Sequence, residues 1–98
     1  MYTRIYKYNI AEKDYLRWMV MTKETDAMMK KFPAIKLERH VRKKGHNMEI
    51  EEALLYESED LYKRAMEEIK KNERANALTD IFLNMVQGEI QEDFIKPN

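Results

Sequence analysis

The fold is decided by the stretch LERHVRKKGHNMEIEEALLYES, which runs from Leu37 to Ser58. On both sides of KGHN, apolar residues alternate with charged residues, a pattern typical of two strands joined by a tight turn. A hairpin with a four-residue loop, Lys44 to Asn47, places apolar residues opposite apolar residues and bases opposite acids. The pairs predicted by this register are Ile35–Tyr56, Leu37–Leu54, Arg39–Glu52, His40–Glu51, Val41–Ile50 and Arg42–Glu49. A shift by one residue would destroy the matching, so the pattern predicts a single register.

The segment before the hairpin predicts a strand and then a long helix. YTRIYKYN (Tyr2 to Asn9) contains residue types that favour strands. The predicted face of this strand carries Tyr2, Arg4, Tyr6 and Tyr8. Asn9 is a suitable helix cap, and Glu12 can bond back to its backbone N–H. The helix is expected to run to about Lys31 and to end before Pro33.

The segment after the hairpin predicts two helices and a last strand. Ser58 is a suitable N-cap, and KNERAN (Lys71 to Asn76) interrupts the apolar period before ALTDIFLNMV resumes it. Gly88 is expected to cap the second helix at its C-terminus, and EIQEDFI (Glu89 to Ile95) alternates as a strand. The order β-α-β-β-α-(α)-β predicts one ferredoxin-like α+β domain over residues 1–98, with helices on one face of a four-stranded antiparallel sheet.

Composition narrows the class of function. Eighteen basic and 18 acidic residues give a net charge of zero, which argues against nucleic acid as the main ligand. The absence of Cys excludes disulfides, and no apolar run approaches the length of a membrane span. The N-terminal MYTRIYKYNI lacks the apolar centre of a signal peptide, so the cytoplasm is the expected location.

The element order, the strand-to-helix passage LLYESEDLYKRAM and the ending MVQGEIQEDFI resemble the dimeric α+β barrel family, whose best-known members are the antibiotic biosynthesis monooxygenases. The resemblance covers nearly the whole chain. It implies a homodimer in which two sheets form a barrel with helices outside, and a pocket between each sheet and its helices. It also implies oxidation of aromatic or phenolic substrates without a metal or other cofactor.

The resemblance also suggests site residues. Active members often use a strand Asn and a Trp, which Asn9 and Trp18 could match, although Trp18 lies on a different element. No His is present on the second helix, where haem-degrading relatives bind iron, so haem breakdown is not expected. The predicted pocket residues are Tyr6, Trp18, Arg39, Glu52 and Tyr56.

Each candidate also has a structural interpretation. Arg39 and Glu52 can be a buried ion pair, or they can orient a ligand phenolate, for which a guanidinium offers a planar fork. Asn9 can be a cap, and Trp18 can simply pack in the core.

The second face of the hairpin is polar and allows two interpretations. It is either solvated, as is usual for a charged sheet face, or lies at a dimer interface. Its residues are Glu38, His40, Arg42, Glu49 and Glu51. One His with scattered carboxylates does not predict a metal site. Two functions therefore remain open: a small-molecule enzyme or binder of the monooxygenase type, and a non-enzymatic ligand-binding or oligomerisation module.

Overall fold

The computed structural model describes residues 1–29 and 34–96. Its elements, in chain order, are β1 (Tyr2–Ala11), a 3₁₀ turn (Glu12–Asp14), α1 (Tyr15–Met29), β2 (Ala34–Lys44), β3 (Asn47–Tyr56), α2 (Glu59–Lys70), α3 (Glu73–Met85) and β4 (Val86–Ile95). The strands form one antiparallel sheet in the order β2-β3-β1-β4. The helices pack on one face of it. The predicted ferredoxin-like α+β fold is therefore confirmed.

The predicted β2–β3 register is confirmed from Leu37 to Arg42, where all five described pairs occur as expected. The loop is shorter than predicted, because Lys44 pairs with Asn47 and only Gly45 and His46 form the turn. Gly45 has a φ of 63°, a conformation that a two-residue hairpin turn requires and that glycine adopts without a steric cost. At the other end, a register irregularity pairs Ala34 rather than Ile35 with Tyr56.

The prediction that Asn9 caps the first helix is wrong. Asn9 lies inside β1, where it pairs with Glu49 and Gln87, and α1 begins only at Tyr15 after the 3₁₀ turn. The strand continues because Ile10 is fully buried there. Burial of a large apolar side chain contributes more to the free energy of folding than a helix cap does. The predicted helix end near Lys31, before Pro33, lies outside the described residues.

The second helix begins where predicted, after Ser58, but the third begins at Glu73, inside the KNERAN stretch that was expected to lie between the helices. The Ser58 side chain accepts a hydrogen bond from the backbone N–H of Leu61, and the Asn72 side chain accepts one from Ala75. Gly88 does not cap a helix, because α3 ends at Met85 and β4 starts at Val86. Gly88 instead lies within β4 with a φ of 74°, beside a register irregularity between β1 and β4.

The core consists of two clusters on the helix-facing side of the sheet. The larger cluster contains Tyr8, Ile10, Trp18, Met21, Met48, Ile50, Leu78 and Met85. The smaller cluster contains Tyr2, Leu54, Tyr56 and Ala65. They are separated by one row of the sheet that carries polar side chains, described below. Among the described helices, none combines the length and the apolar character needed to cross a bilayer.

Candidate functional site

A row of four polar residues crosses the helix-facing side of the sheet. The β-register places Arg39 beside Glu52, Glu52 beside Tyr6, and Tyr6 beside Glu92, so each strand contributes one side chain. The neighbouring rows contain mostly apolar residues and belong to the two core clusters. We call these four residues the polar row. It forms the floor of a space beneath the helices.

That space is a cavity of about 390 Å³ between the sheet and the three helices. All four residues of the polar row line it. Its other walls are mainly apolar, with four methionines among them: Met21, Met28, Met29 and Met66. Three threonines, Thr22, Thr25 and Thr79, add hydroxyl groups to the helical side. A largely apolar cavity with a few grouped polar side chains is the usual form of a small-molecule site.

Arg39 is held between two carboxylates. Its two Nη atoms donate parallel hydrogen bonds of 2.8 Å to the carboxylate of Asp26 on α1. Its Nε lies 3.3 Å from Glu52 Oε2, but the N–H does not point at that oxygen and no hydrogen bond forms. The guanidinium also lies 5.9 Å from the centre of the Trp18 ring, within the range of a cation–π contact. The two-pronged bond to Asp26 is the strongest of these contacts.

Tyr8 links Trp18 to Glu52. Trp18 Nε1 donates a hydrogen bond of 2.9 Å to the Tyr8 hydroxyl, and that hydroxyl donates to Glu52 Oε1. Glu52 therefore receives one hydrogen bond through Oε1, whereas Oε2 accepts none from the described residues. Because an ionised carboxylate can accept about four hydrogen bonds, Glu52 keeps capacity for a further donor.

The electrostatic environment fixes two protonation states. Burial and the adjacent Glu52 charge raise the pKa of Tyr8, so its hydroxyl remains a donor. Burial works to lower the pKa of Arg39, but the hydrogen bonds to Asp26 and the charges of Glu52 and Asp26 outweigh it and raise that pKa. Arg39 therefore stays cationic. With Glu52 and Asp26 it forms a group of one positive and two negative charges.

The structure brings three of the predicted pocket residues together and separates the others. Tyr6, Arg39 and Glu52 line the cavity. Trp18 is buried at its border and reaches it only through Tyr8 and Arg39, so it packs in the core as the structural interpretation expected. Tyr56 is fully buried in the smaller core cluster, and its hydroxyl has no partner among the described residues.

Asn9 does not belong to this site. It lies on the opposite face of the sheet, which no described helix covers, and lines an open groove of about 780 Å³ there. The same groove is lined by His40, Arg42, Glu49 and Glu51 from the predicted polar face. No group of three or more His, Asp or Glu within the described residues is placed to hold a metal ion.

Sequence reasoning missed Asp26 and the pair of Arg4 with Glu92, whose side chains approach to 3.3 Å. A signal for Asp26 was present, since Trp18, Thr22 and Asp26 follow one another at the four-residue spacing of one helix face. Tyr8 was placed on the correct face of the strand, as one of the tyrosines that could line a pocket, but its hydrogen bonds to Trp18 and Glu52 were not predicted. Glu92 becomes a neighbour of Tyr6 only through the β1–β4 register, which the local pattern does not specify.

Comparison with known proteins supports the fold. No family model matches the chain, and no curated protein matches it. The crystal structure of protein Atu4242 from Agrobacterium tumefaciens is similar over 100% of this chain and 94% of that chain, with a TM-score of 0.79 and 13% sequence identity. The de novo designed protein Ferredog-Diesel is similar over 95% of this chain and 84% of that chain, with a TM-score of 0.55 and 11% identity. At these identities the likeness concerns the fold alone.

Proposed function

We propose that this chain binds a small, largely apolar molecule in the cavity between the sheet and the helices. The observation that carries the proposal is the cavity itself. Its volume of about 390 Å³ falls within the range of roughly 300–1,000 Å³ that is usual for ligand sites. Thr79 and Leu83, which line this space, are exposed, so a ligand can reach it from solvent.

The side chains around the cavity suit an adaptable apolar ligand. Four methionines line it, and unbranched methionine side chains can adjust to the shape of an occupant. Tyr6, Tyr8 and Phe82 add aromatic rings that can pack against a planar molecule. The polar row lies on one side only, so a ligand would have one preferred orientation.

A substitution that fills the cavity tests this proposal. Thr25 lines the cavity from α1, whereas Ala27 lies on the exposed side of the same helix. Binding of the neutral dye N-phenyl-1-naphthylamine, followed by its fluorescence, is expected to weaken at least about tenfold in Thr25→Trp and to stay unchanged in Ala27→Trp. If wild type and Thr25→Trp bind the dye equally, or if neither binds it, the proposal is wrong.

A second candidate is oxygenation of a phenolic ligand without a cofactor, as the family resemblance suggests. One observation favours it: Glu52 Oε2 accepts no hydrogen bond from the described residues and lies 3.3 Å from the Arg39 guanidinium. A phenol hydroxyl could donate to that oxygen, with Glu52 as the base that takes its proton and the nearby guanidinium charge stabilising the phenolate. Oxygen uptake in the presence of phenols, lost in Glu52→Gln, would support this candidate. Phenol binding without oxygen uptake would leave only the binding function.

We also propose that the chain forms a homodimer through the uncovered sheet face. That face carries the half-buried Ile5 and Leu55, and carboxylates of β4 (Glu89 and Asp93) that have no cationic partner among the described residues. A two-fold axis parallel to the strands would place β4 of one copy over the basic β2 of the other.

Native mass spectrometry tests the dimer. We expect a dimer for the wild type and a monomer for Leu55→Glu, because an added charge would oppose burial of this face. Val20→Glu, on the exposed side of α1, is the matched control and should remain dimeric. A monomeric wild type would exclude the dimer.

A further inference from the structure

We infer that the ligand of the cavity is an organic cation, an amine with an aromatic or branched apolar body, whose ammonium group lies in the polar row beside Glu52. This inference rests on the proposed binding function and specifies its ligand class. It follows from the charges that surround the cavity, from the contacts already made by Arg39, and from the position of Tyr6.

The charges near Arg39 do not balance. Arg39 is the one cation that contacts Glu52 or Asp26 among the described residues, and it is shared by both carboxylates. The side chains of Arg39 and Glu52 are only 17% and 16% exposed. Asp26 is 42% exposed to solvent, whereas Glu52 is largely buried and shares its one counter-charge among the described residues with Asp26. Buried charges in proteins are normally paired, so a ligand ammonium beside Glu52 would complete its pairing.

The hydrogen bonds lead to the same conclusion. Each Nη atom of Arg39 donates one N–H to Asp26, and no N–H of the guanidinium donates to Glu52. Glu52 Oε1 accepts from Tyr8, and Oε2 remains available on the cavity side. An ammonium group has three donors and no acceptor, which fits a carboxylate oxygen with spare capacity.

The rest of the polar row disfavours an anion. Glu92 lies two strands from Glu52, on the other side of Tyr6, and its pairing with Arg4 leaves that end of the row neutral. The Tyr6 ring already has the guanidinium of Arg4 at 5.8 Å from its centre, which shows that its environment accommodates a cation. A ligand carboxylate here would lie close to the negative charge of Glu52, which would oppose its binding.

A series of three isosteric ligands tests the charge preference directly. The probes are 2-(aminomethyl)naphthalene, 2-(hydroxymethyl)naphthalene and 2-naphthoate, which are cationic, neutral and anionic at pH 7. Calorimetric titration of the wild type is expected to give about tenfold tighter binding for the amine than for the alcohol, and weaker binding still for the carboxylate. Added salt should weaken amine binding and leave alcohol binding unchanged.

Two variants locate the charge responsible. Glu52→Gln keeps an acceptor for Tyr8 and should remove the advantage of the amine over the alcohol. Glu51→Gln changes the neighbouring carboxylate, which is exposed on the opposite face of the sheet, and should leave all three affinities unchanged. The order of the three affinities is measured on the wild-type protein, so this part of the test holds even if a variant fails to fold.

The outcomes separate this inference from the proposed function. Equal affinities, or tightest binding of the alcohol or the carboxylate, would overturn the cation inference. If the probes that bind the wild type then fail to bind Thr25→Trp, the cavity would still be supported as the binding site. Loss of amine preference in Glu51→Gln would also overturn it. If none of the three probes binds while the dye N-phenyl-1-naphthylamine does, the inference fails and the proposed function stands. If the dye does not bind either, both fail.

Discussion

Arg39 of β2 and Asp26 of α1 are joined by two parallel hydrogen bonds of 2.8 Å each. This pair fastens the first helix to the edge of the sheet over the cavity. It also sets the charge of the site, because a guanidinium held by Asp26 is only partly available to Glu52, 3.3 Å away. The buried ion pair expected from the hairpin is therefore one part of a three-residue group.

Replacement of Arg39 should destabilise the fold strongly. Arg39→Met leaves Glu52 buried without a counter-charge, which typically costs about 3–5 kcal/mol in free energy of unfolding. Arg42→Met is a matched control on the same strand, since Arg42 pairs with Glu49 at the exposed surface and should contribute less than about 1 kcal/mol. Urea denaturation measures both. Equal losses in the two variants would show that Arg39 has no special role.

Removal of the Tyr8 hydroxyl should affect two partners at once. Tyr8→Phe leaves Trp18 Nε1 without an acceptor and Glu52 Oε1 without a donor, at an expected cost of about 2–3 kcal/mol. Tyr15 stacks on the same Trp18 ring, and its hydroxyl makes no hydrogen bond among the described residues. Tyr15→Phe should therefore change the free energy of unfolding by less than about 0.5 kcal/mol. A loss in Tyr8→Phe no larger than this would contradict the described network.

Alkaline pH should unfold the protein through its buried tyrosines. Burial raises the pKa of Tyr56 to about 12, and burial also raises the pKa of Tyr8 and Tyr62. Because tyrosine titrates near pH 10 in an unfolded chain, the stabilisation is complete below about pH 10. It is lost as the pH rises from about 10 to 12, since deprotonation then favours the unfolded state.

Absorbance at 295 nm, followed together with circular dichroism, measures this effect. Tyr56→Phe should shift the alkaline unfolding midpoint upward, because that variant has one fewer buried hydroxyl to ionise. An unfolding midpoint that does not move would show that Tyr56 contributes nothing to the transition.

The hairpin turn should tolerate asparagine better than alanine at Gly45. The φ of 63° is a left-handed conformation, and a Cβ placed there would meet no atom within 4 Å. The cost of Gly45→Ala is therefore conformational and is expected to be about 1 kcal/mol. Gly45→Asn should cost less, because asparagine adopts this conformation more readily. Thermal unfolding of both variants checks the order. A larger loss for Asn would show that contacts, rather than φ, set the preference.

The parts of the fold that the sequence predicted well are those decided by local alternation. The facing pairs from Leu37–Leu54 to Arg42–Glu49 followed from the charge pattern of two neighbouring strands. Asn9 was misassigned because a local capping signal competes with burial of Ile10, and the gain from burial depends on the folded core. Gly88 was misassigned because glycine is common both at the C-termini of helices and at irregularities within strands.

The candidate site was only half predictable. Arg39 and Glu52 share a hairpin, so their proximity could be obtained from the alternation. The role of Asp26 depends on where α1 lies over the sheet, and Trp18 and Tyr56 point into core clusters rather than into the cavity. These outcomes are set by packing between elements that are far apart in the sequence.

The eight methionines provide the most direct measurement of the central claim that the cavity holds a ligand. Four of them, Met21, Met28, Met29 and Met66, line the cavity, and the other four do not. In protein labelled with ¹³C at the methionine methyl groups, titration with N-phenyl-1-naphthylamine should shift the NMR signals of those four. The exposed Met1 and Met19 should stay unchanged. Shifts confined to Met1 or Met19, or no shifts at saturating dye, would contradict a binding site between the sheet and the helices.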